Sequence, residues 1–166
     1  EQANQPGSPY AGKIDANMIV AAGNSCGGVT AMELASKDPR VRAVFVLSGS
    51  SAVGSANAAV VGAIKVPVGF VVGSAQEDIA APNALMDYQL LKTPSIIVNR
   101  SMGDHLTVST DTMVLPEVAE IALHWMDLSL YGSKQAAAAL KAPNVCGKCS
   151  AGMWKLQGKL LETLEK

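Results

Sequence analysis

No part of this sequence concentrates positive charge. Its 13 Lys and Arg are scattered among 14 Asp and Glu, for a formal net charge of −1. A surface that displaces counterions from phosphates needs its cations clustered, which excludes nucleic acid as a partner. Long apolar runs are missing too. Gly, Pro or a charge interrupts each of them well short of the roughly 18 residues that a membrane-spanning helix needs, so no membrane association is expected. The opening EQANQPGSPYAGK has neither a basic start nor an apolar core. It does not read as a secretory leader, and the expectation is a cytoplasmic protein or a mature or trimmed form. The glycines match neither GxGxxG nor a GK[ST] phosphate loop, so no nucleotide cradle is spelled out. Repeats, low-complexity tracts and linkers long enough to divide the chain are also absent. What remains is 166 residues that are 49% hydrophobic and 16% charged, the profile of one globular domain over residues 1–166 with a substantial core.

Within that domain the chain alternates between two periods. MIVAAG (18–23), VRAVFVLSG (41–49), VPVGFVVG (66–73) and PSIIVN (94–99) are almost continuously apolar, as suits strands buried on both faces. Helical patterns lie between and after them: VTAMELASK, residues 56–64, PNALMDYQLLK and LPEVAEIALHWMDLSLYG. A final MWKLQGKLLETLEK would place Leu156, Leu160, Leu161 and Leu164 on one helical face. QAAAALKAPNVCGKCSAG (135–152) reads as a helix end followed by a loop. Strand and helix in turn predict an α/β fold, a parallel sheet with helices on both faces.

In such a sheet, reactive groups belong at the carboxyl ends of the strands. GNSCGG, directly after MIVAAG, fits GxSxG, the strained strand-to-helix turn that lifts a nucleophilic serine into the open. In this reading Gly23 and Gly27 remove Cβ atoms that would clash and Gly28 lets the helix pack closely. Cys26 packs beneath the turn while its N–H faces a developing oxyanion. Glycines after a strand often make only a tight turn, so the serine also needs a base and an acid that orients the base. Of the two histidines, His124 lies inside EIALHWMDL, the place of a packed or surface residue. His105, in SMGDHLT just past PSIIVN, is the credible base. For the acid, Asp78 follows the preceding strand and completes the order Ser, Asp, His. Glu77 reads as a solvated neighbour, Asp87 lies too far into the next helix, and Asp104 adjoins His105 too closely. Asp78 also has a plainer reading, as an acid before the helix APNALMDY.

The segments GKIDANMIVAAGNSCGG, GSAQEDIAAPNALMDY, GDHLTV and NVCGKCSAGMW together resemble the C-terminal half of the α/β-hydrolase superfamily. More narrowly, they resemble secreted microbial esterases related to dienelactone hydrolases and polyester hydrolases. The resemblance spans about residues 10 to 158. It implies Ser25 as nucleophile, Asp78 as acid and His105 as base, acting on a carboxylic ester with no cofactor or metal. The chain departs from the family in carrying Asp104 between Gly103 and His105. It also lacks the strands that precede the elbow strand in the family, one of whose loops supplies the second oxyanion N–H. An apolar sheet edge is therefore expected at MIVAAG: the chain reads as a fragment of a longer protein or as a reduced natural hydrolase, its edge covered by self-association or by a separate N-terminal polypeptide. The connection SSAVGSANAAVVGAIK is too short for a cap domain, which implies an open site.

A single CxxC cannot fill a tetrahedral zinc site, and no thioredoxin-like context precedes Cys146 and Cys149. With the export that the resemblance implies, these two are expected to form a local disulfide, two free thiols being the other reading. A second hypothesis from a different class stands beside the esterase: a degenerate, non-catalytic hydrolase-fold subunit that works by interaction.

Overall fold

The computed structural model describes residues 2–52 and 57–166. In chain order the main elements are β1 (Ile19–Asn24), α1 (Cys26–Lys37), β2 (Val41–Leu47), α2 (Ala58–Ala63), β3 (Val68–Val72), α3 (Ala81–Leu90), β4 (Ser95–Arg100), α4 (Thr107–Thr110), α5 (Leu115–Tyr131), α6 (Lys134–Lys141) and β5 (Trp154–Lys159). The helix expected over 56–64 is present as α2. Residue 56 and residues 53–55 of the connection before it lie outside the described residues, as does Glu1.

The strands form one sheet in the order β1-β2-β3-β4-β5. The first four run parallel, and β5 lies antiparallel on β4. The apolar runs are continuous because both sheet faces are covered, and the period of two sorts their side chains. Val44, Val46, Phe70, Val72 and Ile97 pack on one face with Met32 of α1, Val61 of α2 and Ala84 of α3. Phe45, Val71, Ile96 and Val98 pack on the other with α5 and α6. Val118, Ile121, Trp125 and Leu128 of α5 recur at helical spacing and are buried. Pro116 stands in the first turn of that helix and left-handed Gly132 (φ 72°) ends it. Trp125 lies against the backbone of Gly69 and donates its indole N–H to Val44 O at 3.0 Å. Burial of each such large side chain contributes about 1.5–3 kcal/mol.

The C-terminal segment differs from expectation. Trp154–Lys159 is a strand, and Leu161–Thr163 is a single 3-10 turn. Two effects outweigh the helical spacing of the leucines. Gly158 inside a helix would cost about 1 kcal/mol. In addition, β4 has an open edge that WKLQGK fills, with Trp154 buried and Leu156 half-buried against the sheet and Lys155 and Gln157 exposed. Leu160 sits at φ 57° between the two elements and is exposed. The sheet is thus mixed and five-stranded, with the parallel β1 at one edge and the antiparallel β5 at the other. This α/β architecture serves many functions and by itself assigns none.

Candidate active site

One residue separates β1 from α1. Ser25 adopts φ 51°, ψ −118°, a conformation that costs a non-glycine residue about 1–3 kcal/mol and persists only where its surroundings enforce it. Its N–H donates to Leu47 O (2.9 Å), and its carbonyl accepts the Gly28 N–H (2.9 Å). A Cβ on Gly23 would lie 2.3 Å from the backbone carbon and oxygen of Gly27, and one on Gly28 would lie 2.6 Å from Val46 Cγ1. Those two glycines permit the turn and the close helix–sheet approach. Gly27 does not act as expected, because a Cβ there would meet open space. The turn folds the Gly27 backbone over Gly23, so the room is needed at Gly23. Cys26 also departs from expectation. It is exposed and lines the cleft in front of Ser25 rather than packing beneath the turn, because Gly28 is the residue that faces the sheet. The Cys26 N–H belongs to the first turn of α1, where helix geometry offers no intrahelical partner.

The ends of β3 and β4 bring two further loops to the same point. His105 Nε2 lies 2.8 Å from Ser25 Oγ, and His105 Nδ1 lies 2.9 Å from Asp78 Oδ1. Asp78 is 2% exposed. Its Oδ1 also accepts the Ala80 N–H (2.9 Å), and its Oδ2 accepts the Gly73 N–H (2.9 Å) and the Ser48 hydroxyl (2.6 Å). Burial pushes this carboxyl up, but the hydrogen bonds from Ser48, His105, Ala80 and Gly73 outweigh it and hold the group below its ordinary pKa. An ionised carboxylate only accepts, so Nδ1 carries the ring proton and the Nε2 lone pair faces the Ser25 hydroxyl.

Glu77, expected as a solvated neighbour, instead clamps the two loops together. Its Oε2 accepts the Gly103 N–H (2.6 Å) and the Ser74 hydroxyl (3.0 Å). The Ser74 N–H donates to Gly103 O (2.8 Å), and a Cβ on Gly73 would lie 2.4 Å from that same oxygen. Asp104 turns to its own segment. The Thr107 hydroxyl (2.9 Å) and the N–H groups of Leu106 and Thr107 bond its Oδ1 and lower its pKa. Asp87 is buried on α3, where it accepts the Ser51 N–H and the Ser51 hydroxyl (2.7 Å); burial raises its pKa. His124 is half-buried on α5, with Nε2 3.3 Å from Cys146 O and away from the Ser25 cleft.

The structure therefore brings Ser25, Asp78 and His105 together and leaves Asp87, Asp104 and His124 in other roles. Ser48, bonded to Asp78, and Glu77, bonded across the two loops, are the hydrogen-bond partners here that sequence reasoning missed. The cleft holds about 90 Å³, with Val29, Ile79 and Ala80 as apolar walls and Ser48, Gly49, Ser50 and Asn83 completing it. A larger surface hollow of about 440 Å³ lies beside Arg100 and Trp154, and no histidine is among the described residues that line it.

Cys146 and Cys149 are joined in a disulfide with Cα atoms 5.4 Å apart, leaving Cys26 free. Glu117 of α5 braces the loop by accepting the Ser150 N–H (2.7 Å), the Ser150 hydroxyl (2.6 Å) and the Trp154 indole N–H (2.5 Å). Alkylation of denatured, unreduced protein is expected to add a label at Cys26 alone, and at all three cysteines after reduction. Labelling of all three without reduction would show the pair to be a dithiol in solution.

Among the described residues, no helix is long and apolar enough to cross a membrane, and no group of three or more His, Cys, Asp or Glu is placed to hold a metal ion. No family model and no curated protein matches this chain.

Proposed function

We propose that the chain is a serine hydrolase of the α/β-hydrolase type that cleaves carboxylic esters. The observation that carries this reading is the hydrogen-bonded series Ser25, His105, Asp78 at the carboxyl ends of three strands, with Ser25 on a strained turn at a helix start. The resemblance of GNSCGG, EDIA and GDH to the polyester-hydrolase group supports it as well.

In this mechanism Ser25 Oγ attacks the ester carbonyl as His105 Nε2 takes its proton. The oxyanion of the tetrahedral intermediate is stabilised by the Cys26 N–H. His105 then protonates the departing alcohol and leaves an acyl-Ser25. A water molecule, losing its proton to His105, attacks that acyl group and releases the carboxylic acid and the free serine. Asp78 stays ionised throughout, fixing the ring tautomer and stabilising the imidazolium. The shallow cleft suits esters whose acyl or alcohol portions extend into solvent. The Cys146–Cys149 disulfide supports residence in an oxidising compartment, as for a secreted enzyme.

Treatment with a fluorophosphonate followed by intact-mass measurement tests the proposal. A single adduct is expected on Ser25 and none in Ser25→Ala. An unlabelled wild-type protein would overturn it in favour of a non-catalytic hydrolase-fold subunit.

A further inference from the structure

Ser48 follows the last residue of β2, is 0% exposed, and adopts φ 39°. Glycine would suit that backbone better, since only it takes positive φ without steric cost. The hydroxyl is what serine adds, and it donates to Asp78 Oδ2 at 2.6 Å, while the Ser48 N–H is fixed to Val71 O at 2.9 Å. The next residue is pressed against the elbow, because a Cβ on Gly49 would lie 2.8 Å from Ser25 O. We propose that Ser48 is a fourth, positioning member of the hydrolytic site, whose hydroxyl holds the Asp78 carboxylate aimed at His105.

The inference rests on the triad reading and deepens it. A carboxylate offers about four acceptor sites, and Asp78 has four donors. Gly73 and Ala80 belong to its own loop and move with it. His105 is the partner to be oriented. Ser48 alone comes from outside both loops, anchored in the sheet between β1 and β3. Without it Oδ2 keeps one donor beside a hydroxyl-sized void, and the carboxylate gains freedom to rotate.

The bond also withdraws charge from the carboxylate. Its loss leaves more negative charge facing Nδ1, so Asp78 and His105 together bind a proton more tightly and the His105 titration moves to higher pH. Among the described residues, the other ionisable groups on the elements around the pair are Cys26 on α1, Glu77 on the acid loop, Asp104 on the histidine loop and Asp87 on α3 against Ser51. All stay the same in the variants below.

Ser48→Gly, Ser48→Ala and Ser48→Cys test the idea, with His105 titrated by NMR and assigned with His124→Gln. In the Gly and Ala variants the His105 midpoint is expected to lie at higher pH than in wild type. Turnover should fall about 10–100-fold with KM changed less than about twofold, the loss of one charge-assisted hydrogen bond. Cys, with a weaker donor, should fall between them and wild type. In Ser48→Gly the relief of the backbone offsets part of the lost hydrogen bond, and a cooperative melting transition with wild-type circular dichroism in that variant separates the effect from misfolding. An unchanged His105 midpoint in Gly and Ala would overturn the proposal, as would unchanged turnover. If wild type takes no fluorophosphonate, the hydrolase reading has failed by itself, and the NMR titration alone decides whether Ser48 governs the Asp78–His105 pair.

Discussion

Ser25→Ala and His105→Ala should each lower turnover of a short p-nitrophenyl ester by about 10⁴–10⁶-fold, because nucleophile and base act as one unit and either loss removes the covalent route. The double variant should be no slower than the worse single one. Asp78→Asn should cost less, about 10²–10⁴-fold, and the geometry shows how. All four acceptor sites of Asp78 face donors, so an amide must turn its NH₂ toward one pair. Turned toward the Oδ1 side, it opposes the Ala80 N–H and drives the imidazole to the tautomer whose Nε2–H points at Ser25. Turned toward the Oδ2 side, it opposes the Gly73 N–H while the Ser48 hydroxyl rotates to accept. Either way the negative charge behind the imidazolium is lost. Steady-state kinetics on variants with wild-type circular dichroism provide the measurement. Retention of more than about a tenth of the activity in Ser25→Ala or His105→Ala would remove the triad assignment.

The parts legible in the sequence are those whose signal is local. β1 to β4 announce themselves because burial on both faces demands unbroken apolar runs. Ser25 stands out because a single strained residue between strand and helix needs glycine at Gly23 and Gly28. His105 and Asp78 follow from one rule, that residues just past adjacent parallel strands converge. Non-local effects hide the rest. Leu156, Leu160, Leu161 and Leu164 imitate a helical face, and only the open edge of β4 makes WKLQGK a strand. Ser48 looks like ordinary turn chemistry in LSGSS, since its partner lies 30 residues away and its φ is invisible until the backbone is known. Glu77 reads as solvated because it is exposed, yet an exposed carboxylate still fixes a loop when it accepts a backbone N–H. Residue type alone sends Cys26 inside, whereas the helix register gives the inward position to Gly28.

The outer edge of β1 carries the second large expected effect. β1 pairs with β2 alone, so along Ile19–Asn24 one row of backbone N–H and C=O groups has no strand partner among the described residues. The segment before it does not fill the gap. It makes a 3-10 turn at Gln2–Asn4 and a series of tight turns, ties Asn4 Nδ2 to Ile14 O at 2.6 Å, and leaves Tyr10 and Ile14 exposed. An edge of this kind recruits another strand. The same side of Ser25 is where the resemblance implies a loop bearing the second oxyanion N–H, and no described residue from before β1 lines the cleft. Covering the edge is therefore expected to do two things at once, association and a rate gain of about 10²–10³-fold, the value of one oxyanion donor. Sedimentation velocity should show association through β1 at micromolar concentration, with turnover per chain rising over the same range. A longer N-terminal polypeptide from a related hydrolase should produce the same gain if that is the natural cover. Ala22, exposed in the middle of the strand, is the position to change. A polar side chain there leaves the backbone edge intact, so Ala22→Lys is not decisive. Ala22→Pro is, because the Ser25 N–H points inward to Leu47 O, and alternation along the strand then directs the Ala22 N–H outward. Removing that donor should weaken association while sparing the β1–β2 ladder. A protein that stays monomeric, with turnover per chain independent of concentration and unmoved by added N-terminal polypeptide, would overturn the prediction. In that case the side-chain amide of Asn83, already in the cleft wall, becomes the group to test as the second donor.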